Sequence, residues 1–369
     1  MAFLKGKLVH GMMILKNHHI NKRIVVFESD DWGSTRMPSL ETLRYLQSKG
    51  IGICRPDDYD KVDTLASNTD LEYLIDALTS VKDSKGNPAK ITFNTCAANP
   101  DFARIEKSGF TEYYYEPFTE TLKRYPRHDK SFAYWKEGID KMVFKPQFHG
   151  REHLNFQKWI RYMRNNNEVV KECCKQGVIS LFINDNGRRE TFLDAYNIVS
   201  SDEIKGVSKS IEDGLTLFND IFGFKSESMI APCYTWDNYV EDIAFKSGIK
   251  YIQGGYIQHH SVFQGSTGKG FSGRYFGETN KNGQKYLIRN CTFEPSQNPK
   301  YNADFCLRQI DNAFKMRLPA IVSCHRLNFI GDLVPSNRDH NLKEFRYLLK
   351  TLVEKYPDVE FRSSDEVFK

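Results

Sequence analysis

Short apolar runs rich in β-branched residues alternate along the chain with longer amphipathic stretches, and this rhythm restricts the fold more than any other feature. Strands joined by crossover helices run parallel, so the pattern predicts a parallel α/β architecture. Strand candidates are Arg23–Phe27, Lys90–Asn94, Val178–Ile183, Ser228–Ala231, Tyr251–Ile252, Tyr286–Ile288, Ala320–Ser323 and Val359–Arg362. Helices are expected over Ser39–Lys49, which opens on a Ser cap behind Pro38, and over Leu71–Val81, Leu154–Asn165, Ile211–Phe222, Trp236–Ser247, Ala303–Met316 and Leu342–Tyr356. About seven or eight such units with no low-complexity linker predict a sheet closed on itself. The expectation is an α/β barrel of seven or eight such units, (β/α)7-8, in a single domain over 1–369, with its core over about 22–368. Two regions break the rhythm. Both 106–145, rich in Tyr, Phe and Pro, and 259–285, rich in Gly, Ser and Asn, are expected to be long loops with short elements, shaping the mouth of a site.

With 40% hydrophobic and 27% charged residues in 369, the chain has the composition of a folded globular protein. Its formal charge of +5 is scattered rather than gathered into a basic block, which argues against a nucleic-acid partner. Eight cysteines without a Cys-x-x-Cys pair read as reduced, mostly buried thiols. The apolar stretch Leu8–Leu15 is short, broken by His10 and Gly11, and followed by no cleavage site. No run approaches the roughly 20 apolar residues of a membrane span. A cytoplasmic location without a membrane span is the expectation.

Chemistry enters at Phe27-Glu28-Ser29-Asp30-Asp31-Trp32-Gly33, where the run Ile24–Phe27 stops. Two carboxylates at the end of a parallel strand face the rim where such folds place their sites, although Asp-Asp-x-Gly also makes an ordinary turn. One can hold a metal while the other takes a proton. A second element, His149-Gly150-Arg151-Glu152-His153, follows extended chain and precedes a helical stretch. On a helical turn, histidines four apart would point the same way and share one cation; a plain helix-face pair is the bland alternative. The same five residues spell the inverted zinc-peptidase motif, which requires both histidines well inside a helix. Gly150 and Pro146 make that reading second. His325, ending the Ala320–Ser323 run, is a third element. A set of Asp31, His149 and His153 would leave open positions on a divalent transition metal, zinc first, with cobalt, manganese, nickel or iron also compatible. Asp30 is then the candidate base and His325 the candidate acid.

The order Asp-Asp, His-x-x-x-His, a Pro-Cys-Tyr loop and a strand ending in His resembles the polysaccharide deacetylases, the NodB-homology carbohydrate esterases, from about Arg23 to Phe368. The resemblance implies a NodB-type distorted barrel. It also assigns the base to Asp30, the metal to Asp31, His149 and His153, and the acid to His325. The ending Ser363-Ser364-Asp365-Glu366-Val367 resembles that of such domains. In the loop Ile230–Trp236, the backbone at Cys233 and Tyr234 is the candidate oxyanion donor, with Trp32 and Trp236 as candidate substrate contacts. Ala231 stands where the family has the arginine that orients the base, and Arg151 or Arg188 are candidates to replace it. The implied activity is removal of an acetyl group from an N- or O-acetylated saccharide. The alternatives are hydrolysis of another amide or of a glycosidic bond on the same fold, and a non-catalytic saccharide-binding barrel.

Overall fold

The computed structural model describes residues 13–52, 59–185, 187–263 and 270–369. Nine strands form one parallel sheet: β1 (Ile24–Trp32), β2 (Ile91–Thr95), β3 (Phe144–Phe148), β4 (Ser228–Ile230), β5 (Tyr251–Gly254), β6 (Lys285–Ile288), β7 (Cys291–Thr292), β8 (Ala320–His325) and β9 (Glu360–Phe361). The spatial order is β6-β5-β4-β3-β2-β1-β8-β7, with β9 paired to the start of β1. This sheet, curled and packed with helices, is a distorted (β/α) barrel. Edges β6 and β7 do not pair among the described residues, yet only Arg289 and Asn290 separate them in sequence. Asn290 stitches this seam, its N–H bonding the Ile321 carbonyl and its side chain reaching Ile321 N–H and the Pro319 carbonyl.

β1 is buried along its whole length, as a central parallel strand covered on both faces should be. Aromatic side chains fill the space beneath it. Trp32 stacks on Phe93 at 3.6 Å between ring centroids, and Phe93 stacks in turn on Phe144. Each such ring contributes roughly 1.5–3 kcal/mol by burial. The expected helices are present with shifted ends, the longest being Ile204–Phe222 and Pro335–Lys355. Ser39 caps its helix as expected, its hydroxyl accepting from Thr42 N–H.

Two expectations change. Val178–Ile183 is not a barrel strand; Val178, Ile179 and Leu181 pack into a second apolar cluster with Trp159 and Cys173, and only Phe182–Asp185 pairs, in a hairpin with Arg188–Thr191. In its place the barrel uses β3, which contains Pro146. The region 106–145 is more regular than a long loop with short elements: beside a short strand pair with Ala98–Pro100 it holds the helix Ser131–Asp140, whose Trp135 is buried against Trp32 and Phe93. The region 259–285 does carry irregular chain beside the hairpin Ile257–His259 and Phe271–Gly273, with 264–269 outside the described residues. The seven described cysteines are all free thiols, Cys54 lying outside the described residues. Among the described residues, no helix is long and apolar enough to cross a membrane.

Candidate metal centre and active site

The mouth of the barrel begins with an irregularity in β1. Its ladder with β2 runs in register to Ser29↔Phe93 and resumes at Trp32↔Thr95, so Asp30 and Asp31 together stand opposite Asn94. This is a β-bulge, and Asp31 lies in the left-handed region at φ 73°. In a regular strand two successive side chains would leave by opposite faces; the extra residue turns both carboxylates toward the mouth. Gly33, also at positive φ, permits the turn that follows, because a Cβ there would lie 2.5 Å from the Cys96 carbonyl oxygen.

His149 follows β3 directly, and the chain onward is extended rather than helical. His149 N–H bonds the Thr95 carbonyl, and the carbonyls of Gly150 and Arg151 accept from Ala97 and Ala98. Gly150 at φ 107° bends the segment, so the histidine pair is assembled by a turn and not by a helical repeat. The helix starts only at Phe156, and Glu152 is held by both Arg151 Nε and Nη2 at 2.6 and 2.8 Å. Those two facts remove the inverted zinc-peptidase reading.

Asp31 Oδ1 lies 3.5 Å from His149 Nε2 and 3.3 Å from His153 Nε2. All three side chains are buried, and one ligand atom from each falls within 4.8 Å of the others. His149 Nδ1 donates to the Ile230 carbonyl at 3.0 Å, which leaves the Nε2 lone pair facing inward. Burial, then the charge of Arg36, hold His153 well below the ordinary histidine range, so it is neutral, as a ligand must be. Asp31 is held well below the usual carboxylate range: burial opposes its charge, but Arg36 and the two histidines prevail. His149 Nε2 is buried with no hydrogen-bond partner, and Asp31 Oδ1 beside it is compensated by an ion pair with Arg36. The donor set fits a divalent cation.

Sequence reasoning did not find the groups around this trio. Arg36 Nη2 is 3.0 Å from Asp31 Oδ1, and its Nε is 3.6 Å from Asp63, which Arg326 clamps at 2.9 and 3.2 Å. The Tyr59 hydroxyl donates to Asp31 Oδ2, and the Tyr59 ring stands edge-on to His325. Asp31 Oδ1 therefore lies between Arg36 and the two imidazoles, while Oδ2 accepts from Tyr59.

Asp30 is held by a different arginine from those expected. Arg289, in the seam between β6 and β7, donates from Nη1 and Nη2 to the two Asp30 oxygens at 2.7 and 2.6 Å, and Asn94 adds a bond of 2.8 Å. Burial would raise the Asp30 pKa, but Arg289 overrides it and brings it to about 2. Arg289 also donates to Glu28, the Tyr234 hydroxyl and Ser323. Glu28, fully buried, is pushed above the ordinary carboxylate range by that burial despite Arg289. Arg151 is committed to Glu152, and the side chain of Arg188 lies outside what the structure describes. Ala231 is simply cavity wall.

His325 pairs in register with Asp30 across β1 and β8, its Nε2 3.9 Å from Asp30 Oδ2. Its Nδ1 meets Glu294 Oε1 at 2.5 Å, another partner not anticipated. Burial disfavours the imidazolium, yet Glu294, Asp30 and Asp31 raise its pKa to about 9. Asp30, Asp31, both histidines and His325 border one cavity of about 280 Å³, together with Cys233 and Tyr234. Tyr234 N–H is bonded to the Ala231 carbonyl, so of the two expected backbone donors that one is taken. Trp32 and Trp236 are corrections: both are buried in the core, their indole N–H groups bonding Ser29 and Glu241, and neither borders the cavity.

No protein-family profile matches the chain, and no curated protein matches it in sequence. In fold it resembles solved carbohydrate esterases and deacetylases. A protein from Pseudomonas aeruginosa described as a probable polysaccharide deacetylase is 8% identical, with 94% of this chain and 90% of that one covered at a TM-score of 0.47. A family 4 carbohydrate esterase from Streptomyces lividans in complex with acetate is 8% identical, with 92% and 91% covered at 0.38. A pseudoenzyme of that same esterase family from Bacillus anthracis is 11% identical, with 96% and 68% covered at 0.41. The likeness is one of fold.

Proposed function

We propose that the chain is a metal-dependent hydrolase that removes an acetyl group from an N- or O-acetylated saccharide. The observation that carries this reading is the meeting of three units at one cavity: the Asp31–His149–His153 trio, the Asp30–Arg289 pair and the His325–Glu294 pair. Asp31 Oδ1 and the two Nε2 atoms would hold the cation, zinc first among the candidates. When bound there, such a cation would supply Lewis-acid polarisation of the acyl oxygen and acidification of water.

Asp30 receives the proton of the attacking water. Arg289 keeps it ionised and fixes its plane, at the cost of basicity, so a carboxylate of pKa about 2 serves only where the water is itself acidified. His325, protonated through Glu294, lies on the other side of Asp30 and delivers a proton to the departing amine or alkoxide. Cys233, in the left-handed region at φ 56° on the cavity wall, is our assignment for backbone support of the oxyanion. A degenerate, non-catalytic barrel would follow if the base had lost its arginine with Ala231; Arg289, from the seam after β6, supplies that charge instead. The test is acetate release from a panel of acetylated mono- and oligosaccharides, with protein stripped of metal and then reconstituted with zinc. Zinc-dependent release supports the reading; a fully metallated protein that releases no acetate from any member sinks it.

A further inference from the structure

Arg36 stands beside the metal trio with a charge that the proposed chemistry does not use. It lies in the irregular chain between β1 and the Leu40–Ser48 helix, and its neighbours are pinned: Thr35 N–H donates to Asn99 Oδ1 at 2.8 Å and Met37 N–H to the Asp63 carbonyl at 3.3 Å. The side chain is 3% exposed and borders the cavity over the trio, with the Tyr59 ring centroid 5.8 Å from its guanidinium carbon. A guanidinium so enclosed cannot leave for water without moving the chain that carries it. Its closest anionic oxygen among the described residues is Asp31 Oδ1, 3.0 Å from Nη2. Asp63 lies farther, 3.6 Å from Nε, and its oxygens are already taken by Arg326. Nε and Nη1 are buried and make no hydrogen bond among the described residues.

Oδ1 is also the oxygen that faces both imidazoles, 3.5 Å from His149 Nε2 and 3.3 Å from His153 Nε2. One atom therefore serves two claims. In metal-free protein Asp31 is a buried carboxylate that needs a counter-charge, and Arg36 supplies it; removing one member of such a pair leaves the other uncompensated and destabilises the fold. With a dication on the same oxygen, the guanidinium becomes a like charge across a single atom, in surroundings where water screens little. The sign of its effect reverses on metal binding. Arg36 stabilises the metal-free fold and opposes the cation.

We propose that Arg36 is a built-in stand-in for the metal, a positioning residue that holds Asp31 in place in the metal-free protein and weakens the grip of the site on its cation. The inference rests on the trio as the metal centre and not on the identity of the substrate. Its test is zinc affinity by competition with a chromophoric chelator, together with thermal unfolding of the full chain with and without zinc. Arg36→Met should bind zinc at least about tenfold more tightly than wild type, yet melt at a lower temperature when stripped of metal, and its zinc-induced rise in Tm should exceed that of wild type. Arg36→Lys keeps the charge, so its zinc affinity should stay within about threefold of wild type. A residue that merely supported the fold would lower stability and affinity together. Zinc binding that is unchanged or weaker in Arg36→Met, or as tight in Arg36→Lys as in Arg36→Met, would overturn the inference and leave the metal centre standing. If Arg36→Met is unfolded without metal, folding on addition of zinc supports the inference, and failure to fold in excess zinc overturns it. Absence of zinc binding by wild type and both variants would remove the metal centre and the inference together. The predicted gain in affinity without acetate release from any saccharide would retain the inference and reject the deacetylase reading instead.

Discussion

Replacing Arg289 by Gln should destabilise the protein and change how its stability depends on pH. Arg289 neutralises two carboxylates at once: Glu28 is fully buried and Asp30 is 4% exposed. Removing one member of a buried ion pair leaves its partner uncompensated and costs about 3–5 kcal/mol, and here two partners are orphaned. The glutamine amide recovers one hydrogen bond, so about 3–5 kcal/mol is the expected loss near pH 7.5. Burial is the largest influence on Glu28 and already raises its pKa against the pull of Arg289; without Arg289 it rises further. A carboxyl whose folded pKa lies above its unfolded value adds stability below the unfolded value and loses it as pH climbs through the folded one. Arg289→Gln should therefore regain stability relative to wild type on going from pH 7.5 to pH 5, in metal-stripped protein followed by urea denaturation. Adding Glu28→Gln should restore part of the loss. A cost below about 1 kcal/mol at pH 7.5, or a loss equal at both pH values, would refute the account of Arg289 as a shared counter-ion.

Tyr59→Phe removes the hydroxyl that engages Asp31 Oδ2, and a loss of about 10–100-fold in zinc affinity is expected by competition with a chelator, with the fold intact by circular dichroism. His325→Ala should lower turnover of an acetylated saccharide by roughly 10²–10⁴-fold while leaving metal content near wild type. The deficit should shrink for an aryl acetate, whose leaving group needs little protonation; equal losses on both substrates would make His325 structural. Glu294→Gln removes the charge that keeps His325 protonated, so the alkaline limb of the pH–rate profile should move to lower pH.

The parts of the site legible in sequence are those whose residues lie close together and end a recognisable run. Asp30 and Asp31 follow an apolar strand, and His149 and His153 flank a glycine between extended and helical chain. The pair does sit at a strand-to-helix junction, but spacing alone does not distinguish a helical turn from the bent segment that meets Thr95 and Ala97. Arg289 is hard to read from sequence: it acts 259 residues from Asp30, through a seam that exists only once β6 and β7 become the sheet's two edges. Its one readable signal is an arginine directly after the strand run Tyr286–Ile288. Trp32 was misassigned for a related reason, since an aromatic beside a catalytic pair reads as a platform until Phe93 and Trp135 are known to enclose it. Val178–Ile183 has the composition of a buried strand, and composition cannot say that its partner is a second cluster instead of the barrel.

The central claim, that Asp30 is a base and Asp31 a metal ligand, is tested most directly by comparing Asp30→Asn with Asp31→Asn for both zinc content and acetate release. The account predicts that Asp30→Asn keeps close to one equivalent of zinc and loses turnover, whereas Asp31→Asn loses the zinc as well. Equal loss of metal in both variants, or wild-type acetate release from Asp30→Asn, would contradict it.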